Sequence, residues 1–357
     1  MSIDKVFLKN FRPFSDLKVD LSNKNLLLTG ANGTGKTSVL EAINVLITGK
    51  SFKTRDLKDC IKEKSKGFLV DLEITRDKSN FKIRAEKELN KRIFRKANAG
   101  NYSVAKKDLP VIQFIQAKDL RMIEGETELR RDFFNKAMFH VEPKANDEYR
   151  SYKKTLSQRN MALKKKASEK ELKIWNKALI EIGNMLEETQ KRFFVNFFEN
   201  TLENRRVKKK GNPEFLNTIK IYLNKGWPAD LSFEDAIAKS SQKDRALGYT
   251  SLGPHRLDLL FYTENKLAKS VLSRGQQKLL ILLIFFYFND VLKSQIEAEI
   301  IYLIDDITSE LDQENLEIVL QEALALNSQL LITAIEGKNT DNFGPFLDKF
   351  RQLNLSK

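Results

Sequence analysis

Apolar and polar residues alternate with period two through residues 2–9 and 17–21, and again through Gly67–Thr75, Phe81–Glu86 and Arg92–Lys96. Alternation of this kind predicts half-buried strands, so the first third of the chain reads as mostly antiparallel β. Leu26–Thr29 and Pro110–Ile115 read instead as buried strands. From about Asp119 the period becomes helical: residues 128–140 and 145–200 carry Lys, Glu, Leu and Phe at helical spacing. One helix of that length is not expected, so the stretch is read as a helical hairpin or small bundle. Residues 231–247 are helical again, Arg256–Thr263 returns to strand, and Leu279–Phe288 reads as a buried core helix. Glu299–Ile304 and Gln329–Ala334 are core strands with a helix between them, the rhythm of a parallel α/β layer. The expectation is an α/β chain with an antiparallel β subdomain and a mainly helical second lobe, divided at residues 1–118, 119–250 and 251–357.

The apolar strand Leu26–Thr29 runs into Gly30-Ala31-Asn32-Gly33-Thr34-Gly35-Lys36-Thr37 and then into the helical pattern from Ser38 to Ile43. Gly-x-x-x-x-Gly-Lys-Thr between a strand and a helix is a phosphate-binding loop in its required context. Glycines let successive N–H groups turn toward phosphates, and the helix adds its positive end. Lys36 is placed to reach the β- and γ-phosphates and Thr37 to hold Mg²⁺. The chain is therefore expected to bind ATP with Mg²⁺. Thr48-Gly49 is the stop signal of that helix.

A second motif completes the site. Ile300–Ile304 ends in Asp305-Asp306, a buried strand delivering two acids, with Asp305 expected to hold Mg²⁺ and Asp306 to orient or deprotonate the attacking water. Leu272-Ser273-Arg274-Gly275-Gln276 resembles the signature motif of ATP-binding-cassette ATPases, where the serine and glycine of one subunit cap the nucleotide of another. Ser309-Glu310-Leu311-Asp312 fits that class's dimer-contact loop. Gln113 is preferred over Gln116 as the glutamine that senses γ-phosphate, Mg²⁺ and water, because it directly follows Pro110-Val111-Ile112 in the strand. The order of motifs implies an ABC-ATPase-like P-loop head that dimerises on ATP. Transporter cassettes carry a histidine after the strand where Ala334-Ile335 stand here, which argues for slow hydrolysis and against a transporter motor.

Charge changes the picture of the partner. A net charge of +14 favours a polyanion, nucleic acid before an acidic membrane surface. The densest basic run, Arg205-Arg206-Val207-Lys208-Lys209-Lys210, reads either as a solvated loop or as a contact to DNA phosphates, with no stacking aromatics to suggest base reading. The single cysteine, Cys60, forms no internal disulfide and points to a reducing compartment. No signal pattern follows Met1, and the most apolar run is too short to span a bilayer. A cytoplasmic, nucleoid-associated protein without a membrane partner is expected.

Taken together, the chain resembles the bacterial RecF family of SMC-like ATPases. The matching stretches are Leu8–Arg12, Gly30–Thr37 with Leu40-Glu41-Ala42, Thr48–Ser51 with Thr54-Arg55, Gly125 with Arg130-Arg131, Gly253-Pro254-His255-Arg256, Leu272–Gln276 and Leu303–Asp312. A departure is Ala117, where the family's segment has a proline. The resemblance adds Arg12 and Arg55 as nucleotide-side candidates. It implies a cassette head without long coiled coils, an ATP-dependent homodimer, and DNA binding at gaps or junctions of single and double strands. It further implies cooperation with RecO and RecR in loading recombinase, with roles at replication forks and in the SOS response. In an alternative reading the protein is a DNA-bound platform whose assembly state alone is set by ATP.

Overall fold

The computed structural model describes residues 1–21, 25–76, 79–99, 102–103, 109–202, 213–296, 299–309, 311–335 and 343–355. In chain order the elements are β1 (Ser2–Phe11), β2 (Phe14–Asp20), β3 (Asn25–Thr29), α1 (Lys36–Thr48), β4 (Gly67–Arg76), β5 (Ser79–Glu88), β6 (Phe94–Ala99), β7 (Tyr102–Ser103) and β8 (Val111–Ile115). There follow α2 (Thr127–Val141), α3 (Ala145–Lys164), α4 (Glu169–Phe194), β9 (Ile219–Asn224), α5 (Phe233–Leu247), β10 (Asp258–Thr263) and β11 (Lys266–Leu267). The chain closes with α6 (Arg274–Ile296), β12 (Ile300–Ile304), α7 (Gln313–Ala325), β13 (Gln329–Thr333) and β14 (Phe350–Asn354).

Two compact units emerge: Met1–Leu120 with Arg274–Asn289 and Glu297–Lys357, and Arg121–Ser273 with Asp290–Ile296. The first holds two sheets. One is antiparallel, in the order β2-β1-β4-β5-β6-β7; the other, β14-β3-β13-β12-β8, is parallel in each of its pairings. Helix α1 lies in a core that draws on both. Val39, Leu40, Ala42, Ile43, Val45, Leu46 and Ile47 are buried, while Thr37, Glu41, Asn44 and Thr48 form a polar stripe along one side of the helix. They share one cluster with Ile3, Val6 and Leu8 of β1, with Val70 and Leu72 of β4, and with Leu26, Leu28, Ile301, Leu303 and Leu331 of the parallel sheet. Strand alternation turns Tyr302 to the other face, where its ring meets the edge of Phe286 on α6. Gly49, at φ 78°, ends α1 by returning its N–H to Val45 O at 2.8 Å.

The second unit is mainly helical. Helices α3 and α4 form the expected hairpin, split where Ser168 accepts the N–H of Glu171 and caps α4. Its small sheet, β11-β10-β9, corrects the expected boundary at residue 250. β10 pairs with β9, a strand not foreseen in the sequence, so residues 251–273 belong with the helical unit and the C-terminal part of the ATPase lobe begins at α6. Among the described residues no helix is long and apolar enough to cross a membrane.

Candidate functional site

The carboxyl ends of the parallel strands are where open α/β sheets bind ligands. β3 ends at Thr29 and α1 starts at Lys36, with the glycine-rich loop between. Gly35 is the N-cap of α1 at φ 101° and no side chain caps the helix, so the first turn presents backbone donors that an anion would satisfy. A Cβ on Gly35 would lie 2.5 Å from the Phe14 ring, and one on Gly30 would lie 2.7 Å from Leu355 O. Both glycines are thus required by close approach as well as by backbone angle. The neighbour of Gly30 comes from β14, whose following residue Leu355 donates its N–H to Thr29 O at 2.8 Å. Lys36, 8% exposed, donates from Nζ to Gly30 O at 2.8 Å and Ala31 O at 2.9 Å. A third ammonium proton remains for a phosphate oxygen, and Ala31, Asn32 and Gly33 lie exposed over the loop with Thr34 half-buried.

β12 is buried along its whole length and delivers Asp305 beside that loop. Thr37 Oγ1 lies 2.9 Å from Asp305 Oδ1 and 3.1 Å from Oδ2. A hydroxyl and a carboxylate so juxtaposed at the end of a phosphate loop are the oxygen donors Mg²⁺ takes beside nucleotide phosphates. Asp305 N donates to Ile115 O at 2.9 Å, fixing the acid against β8. Asp306 then turns into the left-handed region at φ 54°, a conformation aspartate tolerates better than most residues. Thr333, at the end of β13 and fully buried, holds both acids. Its Oγ1 donates to Asp305 Oδ1 at 2.7 Å and accepts Asp306 N at 2.8 Å. Nothing in the sequence marked Thr333, because a threonine in a core strand is an ordinary strand residue.

The remaining candidates separate. Gln113 lies opposite Tyr302, two residues short of the strand end, while the register that pairs Ile304 with Ile115 brings Gln116 level with Asp305. Ile112 and Phe114 pack on the cluster around α1, so alternation sends Gln113 to the opposite face of the sheet from the helix that carries Lys36 and Thr37. Arg12 is engaged elsewhere: Nε and Nη2 form a bidentate pair with the fully buried Glu41 at 2.8 and 2.7 Å, and Nη1 donates to Asp59 O at 2.8 Å. Arg12 therefore fastens the β1–β2 turn to α1, the place the resemblance had reserved for a nucleotide contact. Burial and the nearby Glu41 carboxylate push the Cys60 thiol up to about 12, which keeps it inert. Arg55 is exposed in its loop, Ser273 is exposed immediately before α6, and Gly275 is half-buried in the first turn of that helix. Arg205, Arg206, Lys208, Lys209, Lys210 and Glu310 lie outside the described residues.

Comparison with known proteins agrees with this geometry. The sequence profile of the family described as "RecF/RecN/SMC N terminal domain" matches residues 2–350. The chain is 30% identical to the DNA replication and repair protein RecF of Glaesserella parasuis, covering 98% of both. It is 28% identical to that of Pseudoalteromonas atlantica, over 99% of this chain and 97% of the relative. Among solved structures, the recombination mediator protein RecF with ATP, in the RecFOR pathway, superposes with a TM-score of 0.75 at 20% identity, covering 94% of this chain and 92% of that one. An SMC head bound to the C-terminal winged-helix domain of ScpA gives 0.52 at 15% identity over 96% and 92%, a likeness of fold. With a loop, two acids and a sheet order that are those of a P-loop ATPase head, and with relatives matched from end to end, this chain belongs to the RecF family of the RecF/RecN/SMC proteins.

Proposed function

We propose that the chain is an ATP-hydrolysing protein of DNA replication and repair, a dimer that closes on DNA when ATP joins two subunits. The observation that carries the nucleotide half is the contact of Thr37 with Asp305 at 2.9 Å beneath a loop whose helix has no side-chain cap. The loop N–H groups and the remaining Lys36 proton hold the phosphates. Thr37 and Asp305 hold Mg²⁺, which when bound neutralises charge on the phosphate oxygens. Asp306 accepts a proton from the attacking water or orients it. Of the two glutamines, Gln116 suits the sensor role better than Gln113, since it stands at the sheet edge beside Asp305. Ser273 and Gly275 complete the partner's site in the dimer.

The DNA half is supported by the relatives, named for DNA replication and repair, and by the net charge of +14. Gapped or junction DNA is the proposed ligand, RecR and RecO the proposed partners, and the Arg205–Lys210 run a proposed phosphate contact. The absence of a histidine at Ala334-Ile335 supports slow turnover. The test is ATP turnover without DNA, with blunt duplex and with gapped duplex, at two salt concentrations because phosphate contacts weaken with salt. Stimulation strongest with the gap is expected. Turnover indifferent to DNA that nevertheless binds would reduce ATP to setting the assembly state of a platform.

A further inference from the structure

The helical unit contains a cavity of about 1050 Å³ that the nucleotide site does not use. The end of α4, the end of β9 with the loop after it, the end of α5 and the segment through Arg256 form its walls. Leu247, Leu252, Leu260 and Phe194 give it an apolar lining. Three of the large apolar side chains that the protein leaves exposed gather here: Tyr222 at 49%, Leu247 at 43% and Tyr249 at 39%. Gathered exposed apolar side chains, with Tyr, Trp and Arg among the lining, mark interaction sites more than solvated faces.

Part of the wall is preorganised. Trp227 is 4% exposed, its indole Nε1 donates to Leu231 O at 3.2 Å, and Lys225 Nζ sits 4.8 Å from its ring centre. Lys225 is also engaged by Glu187 at 3.5 Å. Lys191, Lys243 and Arg256 are different: all three are exposed cations on the cavity, and among the described residues none is paired with a carboxylate. Among the described residues Glu199 is the one other acid at the wall. Gln190, 2% exposed, also lines the cavity, and its amide Nε2 meets no acceptor among the described residues. β9 is the outermost strand of its sheet, and Tyr222, Leu223 and Asn224 from it border the space, so an extended chain can lie along that edge.

An occupant must bring apolar bulk, negative charge and a hydrogen-bond acceptor. Single-stranded nucleic acid would use open aromatic faces. Here Arg256 already lies 5.7 Å over the Tyr249 ring, Lys225 covers Trp227, and Tyr222 is edge-on to Tyr262. Aliphatic walls with a cationic rim suit a peptide better. We propose that this cavity docks an extended acidic segment of a partner protein. An apolar side chain enters between Leu247, Leu252 and Leu260, carboxylates meet Lys191, Lys243 and Arg256, and a backbone carbonyl accepts from Gln190.

This docking stands independently of the nucleotide site, and its test uses the full-length protein. A display library of random peptides is selected on the wild type, and the enriched peptides are synthesised and titrated by fluorescence anisotropy. They are expected to combine acidic residues with a bulky apolar one and to lose at least tenfold in affinity on Leu247→Glu and on Lys243→Glu. Both positions are exposed, so thermal melts of the two variants should match the wild type. Selection without an acidic and apolar consensus, or peptides that bind both variants as they bind the wild type, would overturn the proposal. Labelled oligothymidylate measured in parallel separates the rival: binding lost in both variants and competed by no enriched peptide would make the cavity a nucleic-acid groove.

Discussion

The two units handle charge in opposite ways. Around the phosphate loop, the helix start has no side-chain cap, one Lys36 proton is left over, and threonines steady the two acids at the end of β12. In the helical unit, Arg159 is 1% exposed and engaged through Nε and both Nη1 protons. It donates to Asn176 Oδ1 at 2.7 Å, Asp244 Oδ2 at 2.8 Å and Thr250 Oγ1 at 2.7 Å. Asp244 in turn accepts from the Ser251 N–H at 2.9 Å and its hydroxyl at 2.6 Å. Donors left open at a loop mark a site that binds, and a buried charge met by a carboxylate and polar neighbours marks a clamp that holds helices in register. Arg12, which its motif placed at the nucleotide, is also paired with a buried carboxylate, Glu41. The Gly253–Arg256 motif also divides: His255 faces inward to Tyr152 and Thr250, while Arg256 remains at the surface.

The sharpest way to break this contrast is to remove one charge from each side. Lys36→Ala should abolish measurable ATP binding while leaving the melting transition in place, because its partners are two loop carbonyls, one of them on the exposed Ala31. Arg159→Met should do the reverse. Asp244 would be left as a buried, partly unpaired carboxylate at a cost of about 3–5 kcal/mol, read by urea denaturation, with nucleotide affinity unchanged in the protein that remains folded. Arg12→Ala isolates Glu41 in the same way and should cost about 3 kcal/mol. If it instead weakened ATP binding with no loss of stability, Arg12 would return to the nucleotide.

His255 gives a smaller effect tied to pH. Its ring lies 2.7 Å from the Tyr152 hydroxyl through Nδ1 and 3.2 Å from Thr250 O through Nε2, and burial holds it down at about 4, below the ordinary 6.5. Between those values the unfolded chain binds a proton that the folded chain refuses, so stability rises with pH across the window and is lost on acidification through it. Going from pH 6.5 to 4.5 should remove about 2 kcal/mol of stability attributable to this residue. Urea denaturation of the wild type against His255→Phe at the two pH values isolates that contribution from carboxylate titration.

Local pattern was enough for the loop, for α1 with its glycine stop, and for the strand that delivers Asp305, because each depends on residues adjacent in sequence. What could not be read depends on register between distant strands. Gln113 looked better placed than Gln116 until the pairing of β8 with β12 showed which one reaches the edge. β14 backs Gly30 from the far end of the chain, yet its burial is too irregular to read as alternation. β9 follows directly on a short helical turn, Phe215–Thr218, and moves the unit boundary past residue 250 only through its pairing with β10. The pairing of Arg12 with Glu41 was hidden for a different reason: a buried glutamate inside a mostly apolar helix announces nothing about its partner.

In the proposed mechanism the two acids after β12 divide the work, Asp305 holding Mg²⁺ and Asp306 the water. Asp306→Asn tests it most directly, since asparagine also tolerates the left-handed backbone that Asp306 adopts. ATP binding and single-turnover hydrolysis would be measured side by side on the purified variant. Affinity within about threefold of the wild type is expected, with hydrolysis slowed on the order of a hundredfold or more and ATP-bound dimer accumulating. Hydrolysis at the wild-type rate would contradict this division and take Asp306 out of the mechanism.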